Sequence, residues 1–573
     1  MLAWLPALLL AANTTAADHK APKCVQIIGT NDLHGHIEPD IHRAKPPAPE
    51  AKPPSADPQA KPPEPAVQKP IEVQQGGLAD FAAYLDILRA KYPKQTLLLD
   101  GGDLFQGTVP SNLSKGAAVI AAYNALGYQA AALGNHEFDF GPEKTEPDLL
   151  GAIKKRMTEA HFPFLACNIY DAQTGKRPTW KNLKPSALVT VNGVKVGVIG
   201  AITPDTPTVT VPLNVASLEF RNPADDVKRE AASLRKQGAK VVVLVAHIGG
   251  DCAKIDDPHD NSSCNAHSEL WSLLDALPEG TLDVAIAGHT HKYIAQFVKG
   301  VAVSEAGSYG ASFGWVEACV DSAGKVTTNI HPPVDVCMQD WAEGGCRVRE
   351  NSTGETDAKF LDQKLVPDEK IEKTMAPFLA AVKAQQEAPI GVTMATPLTR
   401  KHDAPSPLGI LVAEAIRAAV PGADLGLTNA GGVRADLPGG SLKFGQLFEV
   451  LPFDNRVVGI KLTGKQLEAL LTAPLEAGHG FPQLAGGKLD FDRAHPGTTK
   501  VTLADGSAID PAKTYVLATN DFLANGGDGT KAVMDGVGKK NVTETGKLVR
   551  DAFLSYLKAQ PQPVPAPKVP DPK

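Results

Sequence analysis

Short, unbroken apolar runs recur along the first half of the chain, separated by stretches with helical spacing. The runs are Val25–Gly29, Thr96–Leu99, Ala130–Leu133, Val194–Gly200, Val241–Ala246 and Leu282–Ala287. They do not alternate with polar residues, so they predict strands buried on both faces. After the first run, GGLADFAAYLDILRAKYP sets Leu78, Phe81, Ala82, Leu85 and Leu88 on one helical stripe. Strand and helix signals in this order predict an α/β sandwich with both sheet faces covered.

A chain of 573 residues is long for one hydrophobic core, so two domains are expected. VPDEKIEKTMAPFLAAVKAQQEAP, residues 366–389, reads as one charged helix despite Pro377, linking residues 21–365 to a second α/β segment, 390–558. Residues 45–70 carry ten prolines among Ala, Lys and Glu, and the tail 559–573 repeats that composition. Such sequence buries too little apolar area to offset its ordering entropy, which predicts disorder in both segments.

Composition narrows the compartment more than the function. A net charge of -7 at this length gives no electrostatic case for a nucleic-acid polymer or an anionic membrane. The N-terminus, MLAWLPALLLAANTTAADHK, has an apolar stretch too short to span a bilayer, with small residues at Thr15–Ala17. It reads as a signal peptide over 1–17 without the usual positive start, and predicts a periplasmic or secreted protein. No apolar C-terminal tail suggests a membrane anchor, and a monomer is expected. Seven cysteines suit an oxidising compartment and leave at least one unpaired. Cys252 with Cys264, and Cys337 with Cys346, bracket short polar loops and are the expected pairs.

Five strand ends carry residues that a plain turn does not need. GTNDLHGH supplies Asp32 and His34, LLLDGGDLFQG supplies Asp103, and ALGNHEFD supplies Asn135, His136 and Asp139. VLVAHIGGD supplies His247, and AIAGHTH supplies His289 and His291. In open α/β sheets ligands gather beyond the carboxyl ends of strands, so groups more than 250 residues apart can meet there. Asp, His and Asn together suit divalent ions such as Zn, Mn, Fe or Co, and are too nitrogen-rich for a dedicated Ca or Mg cage. Any one of these motifs is weak; five in succession at strand ends make an assembled metal site.

The motifs Asp32-x-His34, Gly102-Asp103, Gly134-Asn135-His136-Glu137, His247 and Gly288-His289-Thr290-His291 resemble those of the calcineurin-like metallophosphoesterases. With the second segment, they resemble the secreted bacterial 5'-nucleotidase/UDP-sugar hydrolase family over nearly the whole chain. The resemblance implies a four-layer α/β/β/α catalytic sandwich, a linker helix and a smaller α/β substrate domain. It implies two divalent ions (Zn, Mn or Co), with Asp32, His34 and His291 at one, Asn135, His247 and His289 at the other, and Asp103 between them. Some relatives carry Gln or Asn where His291 stands, which leaves metal identity open. His136, oriented by Asp139, is the expected catalytic imidazole, and Glu137 is expected to serve structure.

In the second segment, NAGGVR, PFDN and NDFLANGGDG resemble the substrate-domain motifs of that family. The resemblance implies that Phe453 and Phe522 sandwich a nucleobase and that Asn455 contacts the base. It also implies Asp528 on the ribose and Arg434, with a basic residue near Arg400, on the ribose or carboxyl-proximal side. This chain has Ile410 in SPLGILVAEA where the family usually has Asn, so Arg400, Lys401 and His402 all stand as candidates. The expected activity is release of phosphate from nucleoside 5'-monophosphates, with UDP-sugars and other nucleotides as further substrates. The alternatives are a 2',3'-cyclic-nucleotide 2'-phosphodiesterase/3'-nucleotidase, a hydrolase of protein-bound sulfonates, and an inactive nucleotide-binding surface protein.

Overall fold

A computed structural model of the chain describes residues 21–44, 71–143, 148–338, 358–491 and 500–569. The expected signal peptide, the proline-rich insertion 45–70 and Cys346 lie outside the described residues. All six apolar runs form strands: Lys23–Thr30, Thr96–Asp100, Ala130–Ala132, Val194–Ile202, Val241–His247 and Val284–Ala287. The first three belong to a seven-stranded sheet and the last three to a six-stranded one.

Alternation along each strand explains why the runs have no polar side. In Lys23–Thr30, Val25 and Ile27 enter a layer between the two sheets, where they join Leu97, Leu99, Val196, Val198, Val243 and Ile286. Ile28 points the other way, under the helices Leu78–Lys91 and Ala117–Leu126. Ile199, Val242, Leu244 and Ala285 of the second sheet face the helices Ala224–Lys236 and Glu269–Ala276. Each side chain fully buried this way is worth ~1.5–3 kcal/mol relative to exposure. The first domain is thus a four-layer α/β/β/α sandwich.

The predicted linker helix is Glu369–Gln386, capped by Asp368, whose carboxylate accepts the Lys370 and Ile371 N–H groups. Ile371 and Met375 insert into the first domain's core, and Val382 packs with Val109 of that domain and Phe448 of the second. The second domain has a five-stranded sheet in the order Gln483–Ala485, Leu425–Thr428, Thr514–Asn520, Arg456–Thr463, Val542–Leu548. Apolar clusters cover both faces.

The tail departs from expectation. The last helix ends at Ala559, but residues 560–569 are placed. Val564 donates its N–H to Thr393 O (2.8 Å), accepts from Ala395 N (2.9 Å) and is buried beside Ile390 and Met394. An extended proline-rich segment already has a backbone suited to a sheet edge, so one apolar side chain is enough to dock it. Cysteine pairing also differs in part. Cys252–Cys264 is present, and so is Cys24–Cys319, a bridge across the paired strands Lys23–Thr30 and Ser312–Val320. Sequence spacing carried no sign of that pair, which strand register alone brings together. Cys337 is disulfide-bonded, and Cys167 is the buried free thiol among the described residues.

Candidate metal centre and its neighbouring domain

Parallel pairing explains how distant motifs converge. Thr30 pairs with Asp100, Asp100 with Ala131, Ile202 with His247, and Ala246 with Ala287, so the strands of each sheet end together. The residues just beyond these ends form two clusters, Asp32–His34–His291 and Asp103–His247–His289. His291 Nε2 lies 3.3 Å from Asp32 Oδ1 and 3.1 Å from His34 Nε2. His247 Nε2 lies 3.0 Å from Asp103 Oδ2 and 2.9 Å from Asn135 Oδ1, and His34 Nε2 is 3.8 Å from the same Asp103 oxygen. Asp103 therefore stands between the clusters.

These separations suit ions with bonds of about 2.0–2.2 Å, whose tetrahedral ligands lie ~3.4 Å apart. The chemistry of the donors fits as well. His247 Nδ1 faces Gly101 O at 3.1 Å and His34 Nδ1 faces Gln106 O at 2.8 Å, so each Nδ1 carries the proton and each Nε2 offers a lone pair. At His247 that lone pair meets a carboxylate oxygen and a carboxamide oxygen, which also accept. Three acceptors at such distances are reconciled only by a cation. Burial presses the His247 imidazole down, but Asp103 outweighs this and lifts its pKa to about 10. Burial and the neighbouring His247 push His289 down to about 3.

The ligands are held under backbone constraint. Asp32, His34, Asp103, His289 and His291 all have positive φ, between 49° and 84°. Each such residue costs of order 1 kcal/mol or more, and a set of them persists only where the surroundings impose it. Asn31 bonds Asp32 Oδ2, Gly307 O and Ala306 N, and His289 N–H donates to Asp32. Glu137 accepts the N–H groups of Asp103, Leu104 and Gly134, tying the second and third motifs together. Burial raises its pKa to about 8, with Asp103 adding to the rise and the Gly134 N–H, His247 and the Leu104 N–H opposing it.

His136 stands at the edge of this cluster. Its Nδ1 is 2.6 Å from Asp139 Oδ2, while Thr210 Oγ1 donates to Asp139 Oδ1 at 2.7 Å. Burial lowers the His136 pKa, yet Asp139 and Asp103 more than offset it and the net is a rise. Thr210, Asn31 and Tyr309 were not singled out from sequence. Tyr309 stacks on His36 at 4.4 Å and meets both His34 and His291 edge-on. No local pattern marks Tyr309, whereas Asn31 precedes Asp32 directly.

The second domain reaches the same place. Arg434 Nη2 is 3.2 Å from His34 Nε2, the Phe453 ring centroid is 5.7 Å from that of His136, and Asn112 Nδ2 donates to Pro452 O at 3.1 Å. Phe453 precedes the strand Arg456–Thr463 and Phe522 follows its partner Thr514–Asn520, so both lie at one sheet end. Gly527 lies so close under Phe522 that a Cβ there would be 2.4 Å from the ring. Asp528 is buried at φ 49° with Oδ2 unpartnered; burial lifts its pKa to about 7, opposed by a hydrogen bond from Asn429. Asn455 is half-buried and accepts Val549 N–H through its carbonyl. Arg400 is exposed, its backbone N–H held by Asp436, and no contact joins its side chain to the metal end among the described residues.

Known proteins share both halves. Residues 25–293 match the family described as calcineurin-like phosphoesterase, and residues 386–535 match the 5'-nucleotidase C-terminal domain. The chain joins a calcineurin-like phosphoesterase domain to a 5'-nucleotidase C-terminal domain. Among relatives, the Bacillus subtilis endonuclease YhcR is 26% identical over 85% of this chain, which spans only 37% of that protein. Protein UshA of Escherichia coli is 26% identical over 85% of this chain and 88% of its own length. The solved 5'-nucleotidase precursor of Thermus thermophilus shares the fold, with a TM-score of 0.73 and 23% identity over 93% of this chain and 96% of that one. With that catalytic domain the chain is a metal-dependent phosphoester hydrolase, and its two ligand groups match the dinuclear divalent centre that calcineurin-like phosphoesterases use. No helix among the described residues is long and apolar enough to cross a membrane.

Proposed function

We propose that this phosphoesterase is an exported enzyme that releases phosphate from nucleoside 5'-monophosphates. The observation that carries this reading is the approach of the second domain to the metal end: Phe453 beside His136 and Arg434 beside His34. A phosphate at the ions would then have an aromatic face and a guanidinium within one nucleotide's reach.

In this reading Asp32, His34 and His291 would hold one ion and Asn135, His247 and His289 the other, with Asp103 between the two groups. When bound, such ions would make a water more acidic and offset charge on the phosphoryl oxygens. His136 keeps its Nδ1 proton on Asp139 and turns Nε2 toward a phosphoryl or leaving oxygen, with Asp139 and Asp103 raising its pKa. Phe453 and Phe522 take the base between them, a contact worth ~1–3 kcal/mol per base and tolerant of base identity. Asn455 contacts the base edge. Asp528, with one buried oxygen unpartnered, accepts from a ribose hydroxyl. Arg434, beside His34, stands on the ribose side, with the exposed Arg400 farther out. The bridges Cys24–Cys319 and Cys252–Cys264 suit the oxidising compartment that export implies.

Phosphate release from 5'-, 3'- and 2',3'-cyclic nucleotides and UDP-glucose, after chelation and add-back of single metals, tests the reading. Preference for 5'-monophosphates with full metal dependence is expected. Activity that survives chelation removes the two-ion mechanism, and preference for 3'- or cyclic nucleotides replaces the substrate.

A further inference from the structure

Asp100 is fully buried behind the metal centre, and neither a ligand nor a substrate role reaches it. Its Oδ2 accepts from Thr30 Oγ1 (2.6 Å) and Tyr123 OH (2.9 Å), and its Oδ1 accepts Gly102 N–H (2.7 Å). The Gly102 N–H belongs to the same peptide plane as Gly101 C=O, the oxygen that faces His247 Nδ1. Burial lifts the Asp100 pKa to about 7, so above that pH one rigid amide has a carboxylate on its N–H and a metal-ligand imidazole on its carbonyl.

We propose that Asp100 is a positioning residue for the Asn135–His247–His289 ion, acting on His247 through the Gly101–Gly102 peptide. A carboxylate on an amide N–H pushes electron density toward the carbonyl oxygen. That strengthens the bond to His247 Nδ1–H, and the imidazole becomes a better donor at Nε2. The arrangement is an Asp–His–metal relay with one peptide unit inserted. The peptide has no room to turn away: at Gly102, with φ +98°, a Cβ would lie 3.0 Å from His247 Nδ1.

The other site supplies an internal contrast. His34 Nδ1 bonds Gln106 O, and the N–H of that same peptide, on Gly107, donates to Asn112 Oδ1 at 2.9 Å. The device is repeated, but the group at its far end is a neutral carboxamide. The ion served by His247 is therefore the tighter of the two.

This inference rests on the two-ion reading, and the test separates the two. Metal-free full-length protein is titrated with Mn²⁺ by calorimetry, in the wild type, in Asp100→Asn, and in each combined with His247→Ala or His291→Ala. The substituted carboxamide keeps the shape of the carboxylate and an oxygen for Gly102, but not the charge. Wild type is expected to bind two ions of unequal affinity, and Asp100→Asn to weaken the tighter one ~10–100-fold. The same loss should appear with His291→Ala and vanish with His247→Ala. If Asp100→Asn does not fold, Thr30→Val weakens the same link and should lower the same ion's affinity several-fold. A wild type that binds fewer than two ions overturns the two-ion reading. Two ions with affinities unchanged in the folded variant, or a loss that persists with His247→Ala, overturns the role of Asp100.

Discussion

At the metal end, five proposed ligands sit in left-handed backbone, and Asp32, His34, Asp103 and His247 are buried. At the proposed nucleoside end Phe453 and Asn455 are half-buried in a loop, Phe522 is half-buried in the short helix Asp521–Ala524, and only Asp528 shares the left-handed geometry. The difference follows from what each end must do. Like-charged and lone-pair groups repel until an ion arrives, so the fold must hold them against one another. A stacking face attracts any base without exact placement, so the segments bearing it can be looser.

Four measurements would break or sharpen this contrast. Asp103→Ala removes the bridging carboxylate and is expected to lower phosphate release by ~10³-fold or more for every phosphoester tried. Retained turnover would show that the metal end is not where bonds break. Phe522→Ala should reduce kcat/KM for 5'-AMP by ~1–3 kcal/mol, up to about a hundredfold, and leave ribose 5-phosphate nearly unaffected. Equal losses on both substrates would mean that the ring serves packing. Thr210→Val leaves Asp139 without its hydroxyl donor and should cost about 1.5 kcal/mol in kcat, with metal content unchanged and Thr210→Ser restoring the rate.

The fourth measurement lies at neither end and is expected to leave turnover unchanged. Asp80, on the helix Leu78–Lys91, has its pKa pushed up to about 6 by burial and by Glu372 of the linker helix. Folded protein therefore keeps this proton at pH values where the unfolded chain has released it, and stability falls as pH rises from about 4 to 6. Above that window the penalty is constant. Asp80→Asn should raise stability by ~1–2 kcal/mol at pH 7 and by little near pH 3.5, with kcat unchanged, as thermal unfolding across pH would read. A change in kcat would tie the linker contact to catalysis.

The two ends were also unequally legible. Asp32, Asp103, Asn135, His247 and His289 each follow an apolar run directly, so strand topology and residue type spoke together. Phe453 and Phe522 could be placed only by family resemblance, because a phenylalanine near a turn is equally suited to a core. Asp100 and Tyr309 carried no signal: their roles depend on which peptide or ring lies across from them. Cys24–Cys319 was hidden for the same reason, since its halves meet only once the two strands are in register. The docked tail was misread because composition weighed its prolines and not the single Val564.

The left-handed φ at Asp32, His34, Asp103, His289 and His291 also bears on how such a centre can change by mutation. Asn, Asp and His are the side chains most at ease in that conformation, and β-branched or bulky residues are penalised there twice, as poor ligands and as poor fits. The routes open to these positions therefore run among a few oxygen and nitrogen donors. Metal preference can drift along those routes while the scaffold stays as it is.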